Sequence, residues 1–341
     1  MGLFSFFTKE IAVDLGTANT LIIHNDKVVI DEPSIVAMDI LTNKLIAVGE
    51  RALMMNGRTP DSIKVIRPLK DGVIANFRAA ELMLIEFLRM MNAKQKSLFP
   101  PALKMVVCIP SGITDVEERA VRDSSEQAGA KEVRLIKEPM AAAIGMGLNV
   151  LEPTGNMVVD IGGGTSEIAV IALGGIVSDK SIKVAGDEFT TDIEGYMRRE
   201  HNMSIGERTA ELIKIHAGAA LADIENPPPS YEVRGSDLLT GIPKAIQITH
   251  KEVAIALDTS ISQIESAILS ALAQTKPELS ADIYSSGIYL AGGGALLRGL
   301  DRRIHLKTKL PVHIAEDPLK AIARGTAIAL KNFDRFPFLI R

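Results

Sequence analysis

Met157-Val158-Val159-Asp160-Ile161-Gly162-Gly163-Gly164-Thr165-Ser166-Glu167 places three consecutive glycines directly behind an aspartate that ends an apolar run. The run reads as a buried strand. Three glycines in a row cost conformational entropy, so the chain has a reason to keep them, and close backbone approach is the usual one. A second stretch has the same design: Ile11-Ala12-Val13-Asp14-Leu15-Gly16-Thr17-Ala18-Asn19-Thr20. Alone, it fits a tight hairpin as well as a ligand turn, because short glycine motifs recur by chance. Two such stretches, roughly half a chain apart, point to two related halves.

That pairing has a chemical meaning. Backbone amides behind a strand can face phosphate oxygens, and a strand-end carboxylate can reach a metal ion directly or through water. The expectation is therefore a nucleotide held between two halves, each giving one turn and one aspartate. A third turn, Gly292-Gly293-Gly294, sits between a strand and a helix. It suits either a base or ribose contact or a plain tight connection. No G-x-x-x-x-G-K-[ST] loop occurs, and the first strand is not followed by G-x-G-x-x-G, which excludes the Walker A and dinucleotide fingerprints.

The rest of the chain reads as α/β. Residues 11–24 form a hairpin, and residues 28–50 continue in short strand pieces. Leu82, Ile85, Leu88 and Met91 recur at helical spacing over residues 77–92. A buried strand covers residues 104–109. Thr114 and Glu117 make a capping box opening a helix to about residue 128. A short strand at 133–136 leads through Glu138-Pro139 to a small-residue helix over 140–148. The second half repeats this order: a hairpin around Asp160, a third strand at 182–184, helices near 190–200 and 206–221, and a strand pair within 230–249. Thr249 and Glu252 form a second capping box for a helix to about 275. A strand enters the Gly292 turn, and a last helix covers 318–330.

Length and composition narrow the function classes. At 341 residues with 47% hydrophobic content, two domains with sizeable cores are expected. A net charge of −4, 4% aromatics and no Trp argue against nucleic acid as a partner. The one cysteine, Cys108, lies in an apolar run and reads as a buried thiol in a reducing compartment. The six histidines make no metal-ligand spacing. No stretch approaches the length of a membrane span, and the N-terminus lacks the build of a signal peptide. Two apolar clusters still ask for a surface role: Leu3, Phe4, Phe6 and Phe7, and the lysine-flanked pair Leu98 and Phe99. Each reads as a membrane contact or as inward packing. Phe6 occupies the position where a myristoylation signal needs Ser or Thr.

Glu138 could orient or deprotonate water, but from position alone it reads as a solvated helix-start carboxylate that suits the helix dipole. Glu211 and Lys214 could touch ribose or base, or form a surface ion pair.

Taken together, the two turns, Glu138-Pro139 and the Gly292 turn resemble the superfamily of actin, heat-shock chaperone ATPases and sugar kinases. Within it the chain closely resembles the MreB family of bacterial actins over almost its whole length. Val107-Cys108-Ile109-Pro110-Ser111-Gly112-Ile113-Thr114, Ala185-Gly186-Asp187-Glu188 and Glu316-Asp317-Pro318 also fit that family. The resemblance implies an actin-like ATPase fold, with two large domains around a nucleotide cleft and a smaller subdomain on each. The first large domain would comprise residues 1–31, 67–143 and 319–341, with a small subdomain at 32–66. The second would comprise 144–179 and 243–318, with a small subdomain at 180–242.

The same resemblance implies ATP and Mg2+. Gly16, Thr17, Ala18 and Asn19 would meet the phosphates from one side, and Gly162, Gly163 and Gly164 from the other. Asp14 and Asp160 would organise magnesium and its waters. Glu138 and Thr165 would place the attacking water. Glu211, Lys214, Gly292, Gly293, Gly294 and Ala295 would hold the adenosine. Slow hydrolysis would be coupled to a homopolymer of paired protofilaments, peripheral at the inner face of the cell membrane in the cytoplasm. Membrane proteins of cell-wall elongation would be partners, with cell shape as the output. Two departures stand out: Asn76 and Lys137 occupy positions where the family often carries acidic residues, and Lys137 alters the charge beside Glu138. A chaperone would need a long C-terminal peptide-binding region after residue 341. A sugar kinase would need an acceptor pocket and base that no motif supplies. An FtsA-like division protein would need a C-terminal membrane helix, which the tail interrupted by Pro337 does not resemble.

Overall fold

The computed structural model describes residues 8–92 and 102–340, so both apolar clusters lie outside the described residues. The chain forms two compact units. The first contains residues 1–154, 171–176 and 319–341, and the second contains 155–170 and 177–318. Residues 144–154 and 171–176, expected in the second large domain, thus group with the first unit.

The first unit is built on a five-stranded sheet. Its strands are β1 (Thr8–Leu15), β2 (Asn19–His24) and β3 (Lys27–Pro33), joined later by β9 and β10. A small sheet follows from β4 (Val36–Asp39), β5 (Leu45–Val48) and β6 (Ile63–Ile66), with helix α1 (Gly49–Met55) between β5 and β6. The two-residue strands β7 (Leu69–Lys70) and β8 (Val73–Ile74) precede α2 (Phe77–Asn92). Then come β9 (Ala102–Ile109), α3 (Asp115–Gln127), β10 (Ala130–Lys137) and α4 (Glu138–Gly145). The large sheet runs β10-β9-β1-β2-β3, with β1 parallel to β9 and antiparallel to β2. Its core packs Val13, Ile22, Met105 and Leu135 against Met83 and Phe87 of α2. Burying such side chains contributes about 1.5–3 kcal/mol each. The Thr114–Glu117 capping box forms as expected.

The second half of the chain repeats the plan. Strands β11 (Asn156–Ile161), β12 (Ser166–Ala172) and β13 (Gly175–Ile182) precede α5 (Gly186–His201), β14 (Met203–Ser204) and α6 (Glu207–Ala217). The small sheet of β14, β15 (Tyr231–Asp237) and β16 (Pro243–Ile248) follows. Next are α7 (His250–Gln274), α8 (Pro277–Ser286), β17 (Ile288–Ala291), α9 (Leu300–Thr308) and β18 (Val312–Ile314). The large sheet runs β13-β12-β11-β17-β18, with β11 parallel to β17 and β17 parallel to β18. This is the order of the first sheet with each strand replaced by its counterpart, which is the signature of duplication. The chain returns to the first unit in α10 (Ala321–Lys331), which packs on α4. Their backbones nearly touch: a Cβ added to Gly145 would lie 1.8 Å from Ala321 O, and one at Gly325 would lie 1.8 Å from Ala141 O.

Some boundaries differ from the sequence reading. The third strand of the second half spans Gly175–Ile182 instead of 182–184, because a half-exposed edge strand alternates faces and shows no apolar run. Helix α4 starts at Glu138, with Pro139 in its first turn where a missing N–H costs nothing. Helices α1, α8 and α9 carry too few apolar residues in register to be read from periodicity.

Candidate functional site: two matched turns

In the first unit, three parallel strands end together. Register sets Asp14 of β1 beside Cys108 of β9, and Cys108 beside Ile136 of β10. Glu138 follows two residues later as the first residue of α4. Asp14 and Glu138 therefore stand at the carboxyl end of one sheet, the place where open α/β sheets bind ligands. Both are buried, and burial pushes the Asp14 carboxyl up to about 7 by penalising its charged form. The turn after Asp14 is closed by Gly16 N–H donating to Asn19 O at 3.1 Å. A Cβ at Gly16 would approach Asn19 O to 2.8 Å, so the glycine is required. Ser34 braces the turn from behind. Its hydroxyl donates to Gly16 O (2.6 Å) and its N–H donates to Ala18 O (2.8 Å), and Thr20 Oγ1 lies 2.8 Å from its hydroxyl oxygen. Thr17 is buried, and its Oγ1 accepts from Gly72 N–H at 3.0 Å. Asn76, one of the two departures, caps the start of α2 by accepting from Ala79 N–H at 3.0 Å.

The second unit contains the counterpart. Asp160, next to last in β11, is 2% exposed, and Gly162 N–H donates to Thr165 O at 2.9 Å. This is the hydrogen bond of the Gly16 turn, at equivalent positions of an equivalent strand. Thr165 is buried beside it. Parallel pairing of Asp160 with Ala291 brings the third glycine turn alongside. Gly292 adopts φ 79° and ψ 169°, and a Cβ there would lie 2.3 Å from Ile161 O and 2.6 Å from Asp160 Oδ1. A Cβ at Gly294 would meet the Ile161 side chain at 2.2 Å. Gly293 and Ala295 lie in the 3₁₀ turn Gly293–Leu296. Gly292 and Gly294 are thus demanded by packing against Asp160 and Ile161, which lead into the second turn.

Glu211 and Lys214 form an ion pair, with Lys214 Nζ 2.6 Å from Glu211 Oε2. It is no plain surface pair, because Lys214 also donates to Gly186 O (2.8 Å) and to Thr190 Oγ1 (3.1 Å) at the start of α5. Gly186 and Asp187 donate their N–H groups to Gly162 O (3.1 Å) and Gly163 O (2.8 Å). Sequence reading gave no role to Ser34, Gly72 or Thr190. Gly186 was visible only inside the Ala185–Glu188 motif.

Among the described residues, no group of three or more His, Cys, Asp or Glu side chains could hold a metal. None of the described helices is long and apolar enough to cross a membrane.

Comparison with known proteins decides the family. The MreB/Mbl protein family matches residues 8–337. The chain belongs to the MreB/Mbl family. It is 47% identical over 332 residues to the cell shape-determining protein Mbl of Bacillus subtilis, covering 97% of this chain and 98% of Mbl. MreB5 of Spiroplasma citri bound to AMPPNP superposes with a TM-score of 0.90 at 37% identity, covering 96% of this chain and 97% of that one. The same protein bound to ADP gives a TM-score of 0.89. The MamK double helical filament subunit, at 21% identity and a TM-score of 0.78, shares the fold over 97% of this chain and 100% of its own. The fold is therefore actin-like, as the sequence reading expected, and this member of the MreB/Mbl family is a relative of nucleotide-binding, cell shape-determining proteins.

Proposed function

We propose that the chain is a cytoskeletal ATPase that binds ATP with Mg2+ and polymerises at the inner membrane face to direct cell-wall synthesis and rod shape. The observation that carries this is the matched pair of turns, closed by the same hydrogen bond on equivalent strands. In this reading the backbone at Gly16, Thr17, Ala18 and Asn19 and at Gly162, Gly163 and Gly164 contacts the phosphates. Glu211 holds the ribose, with Lys214 beside it, and Gly292 to Ala295 line the base. Glu138 and Thr165 orient water in line with the terminal phosphate. The four-part division of the chain into two large and two small subdomains belongs to the same proposal.

Asp14 and Asp160 suit magnesium, which keeps most of its waters and takes few carboxylates, so it needs no cluster of protein ligands. Magnesium would neutralise charge on the phosphates. A cation near Asp14 would also hold that carboxyl ionised against the desolvation that raises it. Leu3, Phe4, Phe6 and Phe7, and Leu98 and Phe99, are the proposed lipid contacts. Paired protofilaments and membrane proteins of wall elongation are the proposed partners.

Sedimentation with ATP and magnesium, with and without anionic liposomes, followed by electron microscopy of the pellet, tests this. Nucleotide-dependent filaments that bind liposomes are expected. A protein that hydrolyses ATP yet stays in the supernatant throughout would move the assignment to a soluble kinase or chaperone-type ATPase.

A further inference from the structure

Lys214 has three ammonium protons and no acceptor. All three have partners within the protein: Glu211 Oε2 at 2.6 Å, Gly186 O at 2.8 Å and Thr190 Oγ1 at 3.1 Å. Thr190 sits at the centre of this group. It is 5% exposed, its Oγ1 accepts from Lys214, and its hydroxyl donates to Glu211 Oε2 at 2.8 Å, with Gly186 O 3.0 Å away as the alternative acceptor. Helix α5 has no side-chain cap. Its first two N–H groups, on Gly186 and Asp187, instead donate to Gly162 O and Gly163 O in the second glycine turn. A continuous hydrogen-bonded path therefore runs from Glu211 through Lys214 and Thr190 to Gly186, and on to the carbonyls of the Gly162 turn. A Cβ on Gly186 would lie 3.2 Å from Gly162 O and 3.3 Å from Lys214 Nζ, so that junction is closed on both sides.

Given the ATP reading above, on which this rests, we infer that Thr190 is a positioning residue that couples the ribose-side pair to the phosphate turn. Glu211, 44% exposed at its side chain, keeps acceptor capacity for ribose hydroxyls. Lys214 acts inward and holds α6 to the start of α5. Thr190 sets the distance between them, and α5 transmits that distance to the carbonyl side of the Gly162 and Gly163 peptides. Loosening Thr190 therefore disturbs the phosphate turn even for a ligand with no base or sugar.

The test uses the full chain, wild type against Thr190→Val, Thr190→Ala and Thr190→Ser. Valine keeps the shape and removes the hydroxyl, alanine guards against crowding by valine, and serine restores the hydroxyl. Hydrogen exchange is measured first without nucleotide. Binding of ATP and of inorganic tripolyphosphate, each with magnesium, is then titrated. In Thr190→Val and Thr190→Ala, exchange is expected to rise at Gly186 and Asp187, whose N–H groups make the brace. Both ligands are expected to weaken about tenfold, the scale of one charge-assisted hydrogen bond. Thr190→Ser should return exchange and both affinities close to wild type. If ATP weakens and tripolyphosphate does not, Thr190 serves the adenosine side alone and the coupling is refuted. Unchanged exchange and affinities refute it as well. A wild type that binds neither ligand removes the ATP reading itself, while the exchange arm still decides whether Thr190 holds the brace.

Discussion

Replacing Asp14 with asparagine should make the nucleotide-free protein more stable at neutral and alkaline pH. Asp14 is buried at the end of β1, and desolvation raises its carboxyl from an ordinary 3.8 to about 7. A folded state that holds a proton more tightly than the unfolded chain is opposed by ionisation. The penalty is absent below about pH 4, grows as pH rises, and is complete above about pH 7. Its full size corresponds to about 4 kcal/mol, at about 1.4 kcal/mol for each tenfold difference in proton affinity. Asparagine keeps the shape and removes the charge, but its buried amide needs partners, which costs about 1–3 kcal/mol if they are missing. Urea unfolding without nucleotide is the assay. At pH 8 Asp14→Asn should be more stable than wild type by about 1–4 kcal/mol, and at pH 4.5 that advantage should vanish or reverse. Saturating ATP and magnesium should then stabilise wild type more than the variant, because only the carboxylate gains from the cation. A variant that is less stable than wild type by the same amount at both pH values would show that the Asp14 charge is already compensated in the fold, and the argument would fail.

Other expectations concern the turns and the helix contact. Gly292→Ala places a Cβ 2.3 Å from Ile161 O in a backbone region that only glycine occupies readily. It should lower stability by about 2–5 kcal/mol, read by denaturant midpoint, and should weaken ATP binding through Asp160. Gly145→Ala drives a Cβ into the backbone of α10 at 1.8 Å. Thermal unfolding should show a loss of at least about 1–3 kcal/mol, and unchanged melting would mean that α4 and α10 can separate cheaply. Glu138→Gln should leave ATP affinity within about twofold and lower hydrolysis about 10²-fold or more, so filaments formed with ATP should persist longer in sedimentation.

Much of the architecture was legible because its signals are local. A capping box needs four residues, and both Thr114–Glu117 and Thr249–Glu252 form as read. The apolar spacing of residues 77–92 gave α2 its full length. Asp14 and Asp160 were recognisable because an apolar run, an aspartate and glycine lie adjacent in the chain. Where the signal is spread along an alternating edge, as in β13, the strand was misplaced.

What the sequence by itself determined is the duplicated design: two strand–aspartate–glycine turns, their order, and membership of an actin-like family. Only the tertiary structure decided what each turn is braced by. Ser34 and Gly72 close on the first turn, and Gly186, Asp187 and the Gly292 turn close on the second. It also decided that Lys214 points its three donors into the protein. The physical reason is that turn chemistry is written in neighbouring residues. The partner of a buried polar group is set instead by sheet register and helix packing between segments far apart in the chain.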